Sequence, residues 1–131
     1  MNVLFVEDDA LNRRVVRDML RVVGADMEEA PDAEAGLHML RQKAYDVILM
    51  DLRMPGMDGL TAIRRLREGD SANRDKPVIV VTADTAIDLP ERCFAAGADE
   101  IIVKPVAMDA LLDAIGRLAS RNADDDEFIL T

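Results

Sequence analysis

Aromatic side chains are scarce in this chain. Its 131 residues hold no tryptophan, one tyrosine and three phenylalanines, which leaves little to stack on nucleic-acid bases. A formal net charge of −10, from 26 acidic and 16 basic residues, repels a phosphate backbone as well. Both features argue against nucleic-acid binding and for a protein partner with a basic or apolar face. The single cysteine, Cys93, cannot close an internal disulfide; a packed thiol is expected of it. Apolar runs are strand-length only, which excludes a membrane span. No basic-plus-apolar leader precedes Val3, so a cytoplasmic protein is expected. Neither G-x-x-x-x-G-K nor G-x-G-x-x-G occurs, which disfavours nucleotide enzymes. With half its residues apolar, the chain reads as one globular domain with a real core and no room for a second.

What is present is an alternation of short apolar runs and helix-period segments. Asn2–Val6 reads as a strand. Ala10–Val23 carries Leu11, Val15, Val16, Met19, Leu20 and Val23 at helical spacing and is stopped by Gly24. Asp26–Ala30 is a weak, polar strand suited to a sheet edge. Asp32 caps a helix reaching about Gln42. Asp46–Met50 is the most apolar strand and is expected at the centre. A helix opens at Asp58 or Gly59 and ends near Glu68; Gly69–Lys76 is polar and turn-rich. Pro77–Thr82 is a second buried strand, followed by the loop Ala83–Leu89. Pro90 suits the first position of the next helix, which Gly97 ends. Glu100–Val103 is the fifth strand and Met108–Ser120 the last helix. Five β–α units in succession imply an α/β fold, a parallel sheet with helices on both faces. The tail, residues 121–131, is acidic and expected to be flexible, with a short docking segment as the alternative.

The informative residues sit where the strands stop. Glu7 and Asp8 follow the first strand, Asp51 follows the central one, Thr82 closes the fourth and Lys104 follows the fifth. In open parallel sheets ligands bind outside the carboxyl ends of the strands. Any one of these residues has an ordinary use: a helix N-cap for Glu7 or Asp8, a turn residue for Asp51 before Pro55-Gly56, a strand-end hydroxyl for Thr82. Four strand ends carrying an acid pair, an acid, a hydroxyl and an ammonium make a site. Asp9 is read as the cap of the first helix, His38 as a surface side chain, and the eight methionines as core filler.

Val6-Glu7-Asp8, Leu49-Met50-Asp51-Leu52-Arg53-Met54-Pro55-Gly56-Met57-Asp58-Gly59, Val81-Thr82-Ala83 and Val103-Lys104-Pro105 together resemble the receiver domain of bacterial two-component response regulators, over roughly residues 1–120. The resemblance implies a single doubly wound, flavodoxin-like domain of five parallel strands in the order 2-1-3-4-5 with five helices, like the chemotaxis regulators. Strands 1 and 3 are neighbours in that order, which puts Glu7 and Asp8 beside Asp51. Three carboxylates in one cleft repel, and at least one pKa should rise. A hard divalent cation, Mg²⁺ or Mn²⁺, resolves the conflict with oxygen ligands. By resemblance, Asp51 accepts a phosphoryl group from a phosphohistidine on a histidine kinase or histidine phosphotransfer protein. Glu7, Asp8, Asp51 and the Arg53 carbonyl then hold the metal, while Thr82 and Lys104 contact the phosphoryl group. The Lys104–Pro105 bond is expected to be cis. The stretch Glu7-Asp8-Asp9-Ala10-Leu11-Asn12-Arg13 is similar to receivers of hybrid kinases and phosphorelays, implying a relay role with output through an unknown protein partner.

The chain also departs from the family. Ile101 stands where an aromatic residue usually reports phosphorylation, and a β-branched side chain cannot swing as a ring does. The switch is therefore expected in Thr82 and the loop that begins at Ala83. Pro90 is expected to push Leu89 out of the helix. Arg53 and Asp84, each two residues past a site residue, are expected to pair across the mouth and hinder hydrolysis. Two alternatives remain: a phosphorylation-independent binding module, which would be expected to lose Asp51, Thr82 or Lys104, and an aspartyl-phosphate phosphatase. The latter wants an acid two residues after its nucleophile; Arg53 stands there.

Overall fold

Strand and helix alternate five times along the chain: β1 (Asn2–Val6), α1 (Ala10–Arg21), β2 (Asp26–Ala30), α2 (Ala33–Gln42), β3 (Val47–Asp51), α3 (Gly59–Glu68), β4 (Val78–Thr82), α4 (Leu89–Ala96), β5 (Glu100–Val103) and α5 (Met108–Leu130). The structure is a computed structural model that describes the side chains of residues 1–120, so the expectations for the tail at 121–131 lie outside the described residues. All four strand pairings are parallel and the sheet order is β2-β1-β3-β4-β5, as expected.

The period-2 alternation of the strands divides the core into two layers. Leu4, Val6, Ile48, Met50, Val78 and Val80 face the layer that also holds Leu37, Leu40, Ile63, Leu66 and Cys93 of α2, α3 and α4. Val3, Phe5, Val47, Leu49, Ile79 and Val81 face the layer built with Val16 and Leu20 of α1 and Leu111 and Ile115 of α5. Strands β1, β3 and β4 are apolar on both faces because both are covered. The polar β2 lies at the edge, where one side of its ladder needs no partner.

Four local differences from the sequence expectations have physical reasons. Helix α1 buries Val16 and Leu20, yet Leu11 is 68 % and Val15 42 % exposed. The apolar arc of α1 is wider than the sheet beneath can cover, and these two residues, one turn apart, form its uncovered margin. Second, Leu89 is the first residue of α4 and is not expelled by Pro90. Pro90 falls in the first turn, where a backbone N–H has no intrahelical acceptor to lose. Third, β3 runs from Val47 to Asp51, so Asp51 belongs to the strand rather than following it. Fourth, the loop 69–76 is pinned rather than merely polar. The fully buried Asn73 accepts from the Tyr45 N–H at 2.8 Å and donates to the carbonyls of Leu40 at 2.8 Å and Lys43 at 2.7 Å. Nearby, the Arg67 guanidinium donates to the carbonyls of Gly97, Arg74 and Lys76 and pairs with Asp99 at 3.0 Å. Polar side chains thus close the end of the molecule where the strands begin, each with its hydrogen-bonding capacity used.

Tyr45 is 2 % exposed in the same region. Burial, together with the Glu28 carboxylate beside its hydroxyl, pushes its pKa up to about 12 from 10.0. A raised folded-state pKa contributes stability that is whole below 10.0 and is lost as pH rises through about 12. Because Tyr45 is the only tyrosine, tyrosinate absorbance reports it alone. Titration should give a midpoint near 12 for the folded protein and near 10.0 in concentrated urea; an unshifted midpoint in the native state would contradict this packing.

Candidate functional site

The carboxyl ends of the strands bring the expected residues into one cleft of about 210 Å³, lined among others by Glu7, Asp8, Asp51, Thr82 and Lys104. Each arrives by a different local device. The Glu7 N–H continues the sheet ladder to the Ala30 carbonyl at 3.0 Å, which fixes the turn out of β1. Asp9 then caps α1, its carboxylate accepting from the Leu11 N–H at 2.8 Å and the Asn12 N–H at 3.2 Å. Asp51 is the last residue of β3 and lies opposite Val81 of β4. Helix α3, capped by Asp58, starts directly against it. A Cβ on Gly59 would stand 2.2 Å from the Asp51 carbonyl oxygen, so only glycine allows this approach. Thr82 ends β4 opposite Val103, and the Lys104 N–H donates to the Thr82 carbonyl at 2.7 Å. The Lys104–Pro105 peptide is cis, as expected.

The electrostatics follow from burial. Glu7 is fully buried and Asp51 is 4 % exposed. Glu7, Asp8 and Asp51 each offer a carboxylate oxygen, all within 4.8 Å of one another. Against them stands one ammonium: Lys104 Nζ lies 3.0 Å from Glu7 Oε1 and 3.4 Å from Asp51 Oδ1. Burial, and then Asp51, raise the Glu7 pKa above its ordinary value, with Asn12 and Lys104 pulling the other way. Burial alone would lower the Lys104 pKa, but its hydrogen bond to Glu7 and the charge on Asp51 outweigh it and the pKa is raised. Lys104 is therefore ammonium. Two buried acids and the exposed Asp8 against one ammonium leave an excess of negative charge, and an all-oxygen donor set of this kind fits a hard divalent ion.

The mouth carries the expected pair. Arg53 Nη2 lies 3.1 Å from Asp84 Oδ2, with the Arg53 side chain 79 % exposed. The Ala86 N–H, and then Arg53, hold the Asp84 carboxyl below its ordinary value. Thr82 is buried, and its Oγ1 accepts from the Asp84 N–H at 3.0 Å. Ala83 is exposed in the cleft wall, and Ile101 packs, partly buried, against the α2–α4 layer. His38 is exposed and lies on α2, away from these strand ends.

Two contacts had no counterpart in the strand-end reasoning. Asn12 Nδ2 donates to Glu7 Oε1 at 2.7 Å, and Arg13 Nη1 donates to the Glu7 carbonyl at 2.8 Å. The available signal was spacing: α1 starts three residues after Glu7, so its first turn rises beside the end of β1. Among the described residues no helix is long and apolar enough to cross a membrane.

Comparison with known proteins places this geometry. The chain is 39 % identical over 121 residues to the sensor histidine kinase AruS of Pseudomonas aeruginosa, covering 92 % of this chain and 12 % of that protein. It therefore spans only about an eighth of that relative's length. Among solved structures, the receiver domain of another sensor histidine kinase from Pseudomonas aeruginosa, with a magnesium ion coordinated in its active-site cleft, is 31 % identical at a TM-score of 0.83; 91 % of this chain and 97 % of that one are covered. A Vibrio cholerae chemotaxis protein, CheY4, is 28 % identical at a TM-score of 0.82, with coverages of 89 % and 97 %. The family model of the response regulator receiver domain matches residues 3–116, and so the chain belongs to the receiver domains of two-component signalling.

Proposed function

We propose that Asp51 accepts a phosphoryl group from a phosphohistidine on a histidine kinase or histidine phosphotransfer protein, and that the phosphorylated chain signals by binding an output protein. The observation that carries this reading is the Lys104 ammonium set 3.4 Å from Asp51 Oδ1 in a buried cleft with Thr82 beside it. In the reaction a carboxylate oxygen of Asp51 attacks phosphorus. The phosphorus–nitrogen bond breaks, the imidazole leaves with the electron pair, and a mixed anhydride remains on Asp51. Positioning and charge stabilisation are most of what such a transfer requires. Lys104 neutralises one phosphoryl oxygen and the Thr82 hydroxyl donates to another. Glu7, Asp8, Asp51 and the main-chain carbonyl of Arg53 would hold Mg²⁺ or Mn²⁺, which supplies screening between the incoming phosphoryl oxygens and the carboxylate. The magnesium in the cleft of the similar Pseudomonas receiver supports that assignment. The chain is in this view a cytoplasmic phosphoacceptor that assists its own phosphorylation and dephosphorylation.

Donor and output surfaces follow from the same geometry. Leu11 and Val15, exposed on α1 immediately beyond Asp8 and Asp9, suit an apolar helix face on the donor. For output, the Thr82 hydroxyl oxygen holds the loop after β4 through the Asp84 N–H. Turning that hydroxyl toward a phosphoryl group loosens the loop, which stands in for the aromatic rotation that Ile101 cannot perform.

Incubation with a small-molecule phosphodonor and Mg²⁺ should add one phosphoryl mass to the wild-type chain and none to Asp51→Asn. No adduct on wild type, or an equal adduct on both, rejects Asp51 as acceptor. Leu11→Asp with Val15→Asp should slow transfer from a protein donor at least tenfold while leaving the small donor's rate unchanged; equal slowing of both would reject α1 as the docking face. Breaking the mouth pair with Arg53→Ala or Asp84→Ala should shorten the acyl-phosphate lifetime by a few-fold, consistent with the small worth of an exposed ion pair. Unaltered hydrolysis in both variants counts against a role for the pair.

A further inference from the structure

Glu7 is the most confined charge in the molecule. Its side chain is 0 % exposed, and its carboxylate has two donors: Lys104 Nζ, at 3.0 Å from Oε1 and 3.3 Å from Oε2, and Asn12 Nδ2, at 2.7 Å from Oε1. Lys104 is thus closer to Glu7 than to Asp51, at 3.0 Å against 3.4 Å. Under the receiver reading, on which this inference rests, that same ammonium must serve a phosphoryl group on Asp51. Moving it away would leave that buried carboxylate to Asn12 and to the cation it shares with Asp8 and Asp51, and a buried acceptor left short of donors is costly.

We propose that Asn12 is a positioning residue that releases Lys104, holding the Glu7 carboxylate by a neutral hydrogen bond so that the ammonium can turn to the phosphoryl group. Three features make the grip firm. Asn12 sits in the first turn of α1, whose start is fixed by the Asp9 cap to the Leu11 and Asn12 N–H groups. Its neighbour Arg13 holds the main-chain carbonyl of the same Glu7 at 2.8 Å. Arg13 is in turn ion-paired with Glu29 of β2, its Nε lying 3.6 Å from Oε2, beyond hydrogen-bond distance. The Glu7 N–H is already bonded to Ala30. Side chain and backbone of Glu7 therefore keep anchors on α1 and β2 in addition to Lys104. An uncharged amide is well suited here, because it supplies a donor without adding a second cation that would compete with the ammonium or a metal.

The test uses the full chain and beryllofluoride, a phosphoryl mimic, with Mg²⁺ at a fixed large multiple of each variant's own measured dissociation constant. Asn12→Leu, which keeps the bulk and removes the donor, should bind beryllofluoride about tenfold more weakly or worse, the penalty of a charged buried acceptor one donor short. Asn12→Ala should behave alike, and Asn12→Gln, which restores an amide, should recover most of the affinity. Beryllofluoride affinity unchanged in Leu and Ala variants overturns the proposal, even if their melting temperatures fall, because a purely structural role would move stability alone. Equal weakening in the Gln variant overturns it too. Wild type failing to bind beryllofluoride with Mg²⁺ would instead sink the receiver reading itself.

Discussion

The functional end of this molecule is organised around an excess of negative charge, two of its three acids buried. Glu7, Asp8 and Asp51 present oxygens within 4.8 Å of one another, and one ammonium stands among them. Charges taken out of water without full compensation cost several kcal/mol each even after relaxation. The fold tolerates this because the carboxylates sit at the ends of strands whose lengths are packed on both faces. Glu7 and Asp51 are held by β1 and β3, neighbours at the centre of the sheet. The compensating lysine comes from β5 through a backbone hydrogen bond to the end of β4. The Glu7 pKa is raised first by burial and then by its hydrogen bond to Asp51, with the charge on Asp51 a smaller contribution. A site that keeps such a conflict in its resting state is suited to a cation.

The two ends of the sheet divide the work. At the amino edge, Asn73 and Arg67 tie loops and helix ends together through main-chain carbonyls, with Tyr45 packed beside them. At the carboxyl edge Arg13 and the Asp9 cap hold the turn after β1, and the segment after β4 is held by the Thr82 hydroxyl oxygen and by Asp84 on Ala86. Loops that carry function need a rigid scaffold beneath them. Gly59 shows how close that scaffold comes, since any side chain there would displace the backbone of Asp51.

Element order and strand-end residues were legible in the sequence, and the family resemblance implied the sheet order. Parallel strands buried on both faces write themselves as continuous apolar runs, and the right-handed crossover rule leaves few ways to arrange five of them. Asp9 and Asp32 were readable as caps because a short acidic side chain before a helix has one common use. What escaped was contact between elements. Asn73 looked like a turn residue, and only the tertiary structure shows its amide filling the end of α2. Asn12 looked like a polar residue on an amphipathic helix, because hydrophobic period reports which face is covered and not what a polar neighbour can reach. Leu11 and Val15 were misplaced for the converse reason: the pattern gives the width of the apolar arc, and the sheet decides how much of it is used.

The overall charge constrains how a donor of the proposed kind could be recognised. The chain carries a formal net charge of −10, and the cleft itself is acidic, so a phosphoryl group approaches against both the local and the long-range field. At physiological ionic strength, fields beyond about 8 Å are largely screened, which removes most of the distant penalty but none of the one inside the cleft. Attraction must then come from contact. Apolar surface beside the acids is offered by the uncovered margin of α1, Leu11 and Val15, which begins three residues after Asp8. Apolar burial at roughly 25 cal/mol per Å² of area removed from water can offset the repulsion without depending on charge. The same helix that leaves these residues uncovered fixes Glu7 through Asn12 and Arg13. A partner seated on α1 would therefore press on the element that holds the most buried acid of the site, and recognition and acceptance would share one mechanical support.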